Sequence, residues 1–343
     1  MKVLINSYDN SFQNVSGGVQ TKINSYTEHM SMKCTLKLFD KWNDKLTDYD
    51  ILHIFMASSD SYELVRLAKE KKLKIVVSAV QSANRPFRIL YNLLIGKLTH
   101  TYNPYVMIKF IYDAADAIIC ETVKEKEFIQ KMFFVHDEKI KVIPNGIDFN
   151  TSITTDEGKR FFEKSGIAGK YILQVGRFDP NKNQLNVIKA VKDTDMQLVL
   201  IGGEDKNFPE YYNECKKCAG NNVHFLGWIE HKSPLLRYAY QNAQTVILPS
   251  KHEIFGNSLW EGGICGCNLV ATDVLPIRSW GLEKYVLTVK SNSVTDIKNK
   301  LLNSYSMPQN NELSEIIKTL FSWELVTDQH VNLYNEVLGN PLC

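Results

Sequence analysis

Twice along this chain, short apolar runs suited to buried strands alternate with longer helical periods, and that rhythm leaves few folds open. In the first half, Lys2–Ser7, Thr35–Phe39, Ile51–Phe55, Lys74–Ser78, Ala117–Cys120 and Lys141–Ile143 read as strands. Helices are predicted at Gly18–Met30, Ser59–Lys71 and Val123–Phe133, with helical material across Phe87–Ala115. The second half repeats the pattern with strands Tyr171–Val175, Gln197–Ile201, Val223–Leu226, Thr245–Leu248, Leu269–Ala271 and Val286–Val289. Helices Gln184–Lys192, Pro209–Ala219, Pro234–Gln241, Ser258–Ile264 and Ser293–Leu302 fall between or after them, and a last helix runs from about Trp323 to Leu338. Two such runs imply an α/β protein of two doubly wound, Rossmann-like sheets facing across a cleft, with ligands at the C-terminal strand ends. A length of 343 residues suits two domains better than one core. The linker is expected in the turn-prone Asn150–Asp156, giving domains 1–150 and 151–322.

Two segments of the second half carry chemistry. Val246-Ile-Leu-Pro-Ser250 followed by Glu253-Ile-Phe-Gly-Asn-Ser-Leu-Trp-Glu261 reads as a strand, a loop with one carboxylate, and a helix holding a second. Asn257 or Ser258 is the expected N-cap. A helix start at the end of a parallel strand offers unpaired N–H groups and a positive dipole end, which suits a phosphate. Upstream, Tyr171-Ile-Leu-Gln-Val-Gly-Arg-Phe-Asp-Pro-Asn-Lys-Asn183 places Arg177 and Lys182 just after a strand. A guanidinium fork and a mobile ammonium together suit a diphosphate. Alone, each cation or glutamate reads as solvated surface charge; the combination is what is specific.

The ordered set resembles the family 4 retaining glycosyltransferases of GT-B architecture. It runs from Gly17-Gly18-Val19 through Lys141-Val-Ile-Pro-Asn-Gly-Ile-Asp148, Gly176-Arg177 to Lys182-Asn183, Leu200-Ile-Gly-Gly203 and Val223-His-Phe-Leu-Gly-Trp228. It ends with Pro249-Ser250 through Glu253 to Glu261 and Leu269-Val-Ala-Thr-Asp273. The resemblance is strong from about residue 140 to 275 and thinner before.

The resemblance implies a metal-independent, retaining, hexosyltransferase-type enzyme that moves a sugar from a nucleotide-diphosphate donor, UDP-linked by expectation, to a glycan or lipid-linked acceptor in surface polysaccharide or lipopolysaccharide synthesis. Arg177 and Lys182 would neutralise the leaving diphosphate with help from the N–H groups of Gly256, Asn257 and Ser258, and no cofactor or metal would be needed. Glu261 would hold the ribose hydroxyls, and Glu253 the donor sugar and its positive anomeric carbon. Gly17 and Gly18 would let backbone amides approach phosphate or acceptor, and the base would meet the chain near Trp228 and Ile229. The residues 323–343 would cross back onto the first domain. The alternative is a catalytically silent GT-B nucleotide-binding or scaffold subunit, and a GT-B epimerase is a third reading.

The chain departs from the family in one respect. Many relatives carry a histidine after the fourth strand, where this sequence reads Lys74-Ile-Val-Val-Ser-Ala-Val-Gln-Ser-Ala83; Gln81 or Ser82 could donate hydrogen bonds there. His53 reads as a strand histidine satisfied by the core. Gly262, Gly263 and Gly266, read within the helix that carries Glu261, imply close packing.

A net charge of +2 argues against a nucleic-acid partner. Met1–Asp9 turns polar too soon for an export signal, so the seven cysteines are expected as reduced thiols in a cytoplasmic protein. Cys215-Lys-Lys-Cys218 and Cys265-Gly-Cys267 could in principle form a zinc site, but the first pair shares a helix face, which favours packing. From Lys71 to Tyr112 no acidic residue occurs among seven basic ones and many large apolar ones. Either these helices pack on the sheet with solvated charges, or segment 71–112 makes peripheral contact with the inner face of an anionic membrane.

Overall fold

The computed structural model describes residues 1–9, 18–81, 84–148, 155–167, 169–309 and 311–340. The chain divides into two units, one formed by Met1–Gly146 with Trp323–Cys343 and the other by Ile147–Ser322. The division falls at Gly146, ahead of the stretch read as the linker, most of which lies outside the described residues.

The first unit runs β1 (Lys2–Asn6), α1 (Gly18–Met30), β2 (Thr35–Leu38), β3 (Ile51–Phe55), α2 (Tyr62–Glu70), β4 (Lys74–Ser78), α3 (Pro86–Thr99), α4 (Pro104–Ala114), β5 (Ala117–Cys120), α5 (Val123–Phe133) and β6 (Ile140–Val142). Its strands form one parallel sheet in the order β2-β1-β3-β4-β5-β6. Side chains alternate across a strand. Leu4, Leu52, Ile54 and Val77 therefore face the core under α2 to α5, while Val3, Ile5, Ile51 and Phe55 face the opposite one with α1. Parallel strands covered on both faces read as unbroken apolar runs, which is why they are legible. The helical material across Phe87–Ala115 is divided between two helices, α3 and α4. His100 turns left-handed (φ 54°), and the Asn103 side chain caps α4 by accepting from the N–H groups of Tyr105 and Val106 at 3.0 and 3.2 Å.

The second unit continues with α6 (Thr155–Ser165), β7 (Ile172–Val175), α7 (Gln184–Val191), β8 (Leu198–Ile201), α8 (Pro209–Cys218), β9 (Val223–Gly227), α9 (Pro234–Asn242), β10 (Thr245–Leu248), α10 (Asn257–Ile264), β11 (Asn268–Thr272), β12 (Val286–Val289), α11 (Val294–Ser306) and α12 (Asn311–Phe321). The sheet order is β12-β11-β10-β7-β8-β9, again parallel. Helices α6 and α12 fall outside the elements predicted from sequence. Each buries a narrow stripe, with Phe161 in α6 and Leu313, Ile317 and Phe321 in α12.

Ile147 donates its N–H to the Phe321 carbonyl at 2.8 Å, so the second unit begins and ends side by side. The chain then enters α13 (Trp323–Leu338), which packs in the first unit with Tyr26 and Phe55 through Trp323, Val326, Leu333 and Tyr334. A Cβ on Gly146 would lie 2.2 Å from the Trp323 ring, which explains the glycine of Pro144-Asn145-Gly146. His53 is fully buried, with Nδ1 at 2.6 Å from the Tyr334 hydroxyl and Nε2 at 2.9 Å from Ser78 Oγ. Burial holds its imidazole well below the ordinary histidine range, so it is the satisfied core histidine expected.

Candidate functional site

The β7–α7 loop is built before any ligand is considered. Asp179 Oδ1 accepts the N–H groups of Asn181 and Lys182 at 2.8 and 3.0 Å, an Asx turn that fixes where Lys182 leaves the chain. Gln174 bonds the Lys182 carbonyl (2.8 Å) and Gln184 the Arg177 carbonyl (2.9 Å). The loop after β8 closes on it so tightly that a Cβ on Gly202 would stand 2.0 Å from the Gly176 oxygen, which gives Leu200-Ile-Gly-Gly203 its first glycine a reason.

Asn181 then joins this loop to the one between β10 and α10. Its side chain accepts from the His252 N–H (2.9 Å) and donates to the His252 carbonyl (3.0 Å). The result brings Lys182 and Glu253 into a direct ion pair, with Ser250 Oγ donating to the same Glu253 oxygen at 2.9 Å. Arg177 turns instead to Asp205, at 2.9 Å, with Asp179 at 3.8 Å, and leaves its guanidinium largely exposed.

Helix α10 begins one residue earlier than predicted. Gly256, not Asn257 or Ser258, occupies the N-cap position, in the left-handed region at φ 82°. A Cβ there would also meet Leu248 at 2.9 Å, so a capping side chain is excluded on both grounds. Asn257 and Ser258 lie in the first turn of α10. Gly262 and Gly263 are close-packing residues as expected: a Cβ would lie 2.4 Å from Val246 and 2.3 Å from Ile317, respectively. Gly266 lies past the helix end, at φ 82°, and closes it as a C-terminal glycine.

Glu261 is buried and bonded to His231 Nε2 at 2.7 Å. Burial alone would raise its carboxyl, but the hydrogen bond and charge of His231, with Tyr240 and Arg237 behind, hold it below the ordinary glutamate range. The Glu261 hydrogen bond in turn raises the His231 imidazole against burial. His231 was not singled out from the sequence. Its only signal is its place beyond β9, in the loop that also carries Trp228 and Ile229. Trp228 is half exposed, and Ile229 packs against the unit's core.

Arg177, Lys182, Glu253 and the α10 start thus sit on loops at the C-terminal edge of one sheet, while Glu261 is held by a separate pair within the same unit. Gly18 opens α1 in the first unit; Gly17 and Ser82 lie outside the described residues, and Gln81 gives its backbone N–H to Glu125 at 2.5 Å. Among the described residues no group of three or more histidines, cysteines or acids is placed to hold a metal ion. Cys215 is buried in the core beside α7, and the Cys267 thiol donates to the Tyr240 carbonyl at 3.0 Å.

Residues 157–319 match the family "Glycosyl transferases group 1", and residues 7–151 match "Glycosyltransferase Family 4". A curated relative is the N-acetylgalactosamine-N,N'-diacetylbacillosaminyl-diphospho-undecaprenol 4-alpha-N-acetylgalactosaminyltransferase of Campylobacter jejuni, 28% identical over 49% of this chain and 44% of its own. Another is the D-rhamnosyltransferase WbpZ of Pseudomonas aeruginosa, 29% identical over 40% of this chain and 36% of its own. The chain spans about half the length of the curated relatives it matches, between 36% and 59%. Among solved structures, sucrose-phosphate synthase from Thermosynechococcus elongatus shares the fold with a TM-score of 0.77 at 17% identity, over 98% of this chain and 99% of that one. The Anabaena HepE protein in complex with UDP does so with a TM-score of 0.74 at 15% identity, over 98% and 100%. Matched in both halves and sharing this fold along nearly its whole length, the chain belongs to the group 1 glycosyltransferases of family 4, with GT-B architecture.

Proposed function

We propose that the chain transfers a hexose-type sugar from a UDP-linked donor to a glycan or lipid-linked acceptor, with retention of configuration and without a divalent metal, in the assembly of surface polysaccharide or lipopolysaccharide. The observation that carries this reading is the Lys182–Glu253 pair, on the same C-terminal sheet edge as Arg177 and the start of α10. Negative charge grows on the leaving diphosphate, and preorganised donors aimed at it contribute most to the rate. An arriving diphosphate competes with Glu253 for the Lys182 ammonium. Glu253, still anchored by Ser250, is then released to the sugar hydroxyls and the positive anomeric carbon. The ribose hydroxyls meet Glu261, kept ionised by His231. By the family resemblance, Gly17 and Gly18 would offer backbone amides to phosphate or acceptor, and the base would meet the chain near Trp228 and Ile229.

The lipid-linked acceptor draws support from the Campylobacter relative, whose name includes a diphospho-undecaprenol. Such an acceptor places the protein at the inner face of a membrane, in peripheral contact through segment 71–112. No helix among the described residues is long and apolar enough to cross one.

UDP release measured over a panel of UDP-, GDP- and ADP-sugars with and without chelator tests the reaction, and the anomeric configuration of the product by NMR tests retention. UDP release unaffected by chelator, with a retained anomer, is expected. UDP binding without turnover on any donor would support the silent-subunit reading instead, and turnover without an acceptor the epimerase.

A further inference from the structure

We infer that α3 is the element through which the protein seats itself in an anionic lipid surface, lying in the plane of the interface with one apolar stripe inserted. The inference deepens the proposed peripheral contact and rests on it.

Helix α3 buries only Ile89 and Gly96 fully and leans Leu93 on the core of the first unit. Phe87, Tyr91, Leu94 and Leu98 stand 87%, 65%, 56% and 67% exposed. At 100° per residue these four fall within an arc of roughly 60°, on the side away from Ile89, Leu93 and Gly96. Arg88 and Lys97, both exposed, fall to either side of that arc, positions from which long aliphatic stems can run along an apolar stripe while their charges stay at its border. Arg85 precedes the helix, and α3 itself carries no acidic residue.

The stripe is not a core that failed to close. Gly96 lets α4 approach so closely that a Cβ would lie 2.4 Å from Val106, and the Asn103 amide donates to the Asn92 carbonyl at 2.8 Å. Helix α3 is thus clamped by its inner face and holds the stripe outward. Two facing copies of this surface would set like charges together with no acid on either helix to offset them. An anionic bilayer meets both needs, taking the apolar stripe into its acyl boundary and the flanking cations at its headgroups. At 14 residues the helix is about 21 Å long, suited to lying in the interface rather than spanning it.

The test uses the full chain and sedimentation with vesicles of phosphatidylcholine alone or mixed equally with phosphatidylglycerol, at low and high salt. Binding to the mixed vesicles, weakened by salt and at least tenfold weaker to phosphatidylcholine, is expected. Phe87→Ser with Leu94→Ser removes exposed side chains only, so the variant should keep the wild-type melting temperature and UDP-induced thermal shift while losing tenfold or more in vesicle affinity. A Phe87→Trp variant should show a blue-shifted emission quenched by brominated lipid. No binding to anionic vesicles at low salt, unchanged binding by the serine variant, or a wild-type dimer that the serine variant turns monomeric would overturn the inference. Because the UDP-induced shift is read separately, a protein that binds vesicles but not UDP would defeat the proposed function and leave α3 standing.

Discussion

Each unit holds a lysine–glutamate pair beside the C-terminal edge of its sheet, and the two pairs differ in one property that decides their roles. Lys22 of α1 and Glu121, just after β5, are joined at 2.5 Å with side chains only 9% and 8% exposed. Glu121 in turn gives its N–H to Glu125 at 2.6 Å, and the same carboxylate takes the Gln81 N–H, so three chain segments are locked together. Burial, then the nearby Glu121 charge, push Glu125 up to about 8. The Lys182–Glu253 pair of the second unit is more open, 26% and 13% exposed, and each partner has a second anchor: the Lys182 N–H donates to Asp179, and the Glu253 carboxylate accepts from Ser250 Oγ. A buried pair cannot exchange partners without stranding a charge, whereas a half-open one can. The first pair therefore locks a fold, and the second is the one open to a ligand under the proposed function.

The comparison breaks most visibly at Lys22. Lys22→Ala should cost about 3–5 kcal/mol of stability in denaturant titrations, because Glu121 is left buried and unpaired. A loss under 1 kcal/mol would mean that the first pair is no lock. Lys182→Ala should cost little stability but about 10²–10³-fold in kcat, the usual effect of removing one donor to a developing anion; Glu253→Ala should likewise act mainly on turnover. Glu261→Ala should weaken UDP affinity by about 10- to 100-fold, the range of a charge-assisted hydrogen bond, as read by calorimetry. Unchanged UDP affinity there would remove Glu261 from the nucleotide site.

The smallest effect concerns pH. Glu261 is held low, so its contribution to stability is present above its unfolded value of 4.5 and fades as pH falls; His231 is held high, so its contribution is present below 6.5 and fades as pH rises. The pair is worth most between those two values. Its loss in His231→Gln should move the acid limb of UDP binding to higher pH. In the first unit the signs oppose across the same range. His330, pushed down to about 4 by burial, withdraws stability as pH falls below 6.5, whereas Glu125 withdraws it as pH rises from 4.5 toward about 8.

The strands were legible because both faces of each sheet are covered, so Val246, Ile247 and Leu248 had to be apolar in succession. Helix α12 escaped because one stripe of Leu313, Ile317 and Phe321 is diluted by Asn311, Glu312, Glu315 and Lys318. Helix α6 hid its Phe161 among still more charge. The start of α10 was misplaced by one residue because capping rules favour Asn or Ser, whereas here crowding by Leu248 and a left-handed backbone admit only Gly256. Arg177, Lys182, Glu253 and Glu261 were named from their places after strands and from the family resemblance, but neither says who pairs with whom. His231 belongs to another loop, and the Lys182–Glu253 pair depends on Asn181 stitching two loops together. Segment 71–112 showed its charge bias in the sequence, yet only the packing of α3 separates Ile89 and Gly96 from the outward Phe87, Tyr91, Leu94 and Leu98.

The most direct test of the open pair is a crystal structure of the protein with UDP. The diphosphate should contact Arg177 and Lys182 and the N–H groups at the start of α10, with Glu253 parted from Lys182 and the ribose against Glu261. A diphosphate bound away from those two cations, with the Lys182–Glu253 pair intact, would contradict it.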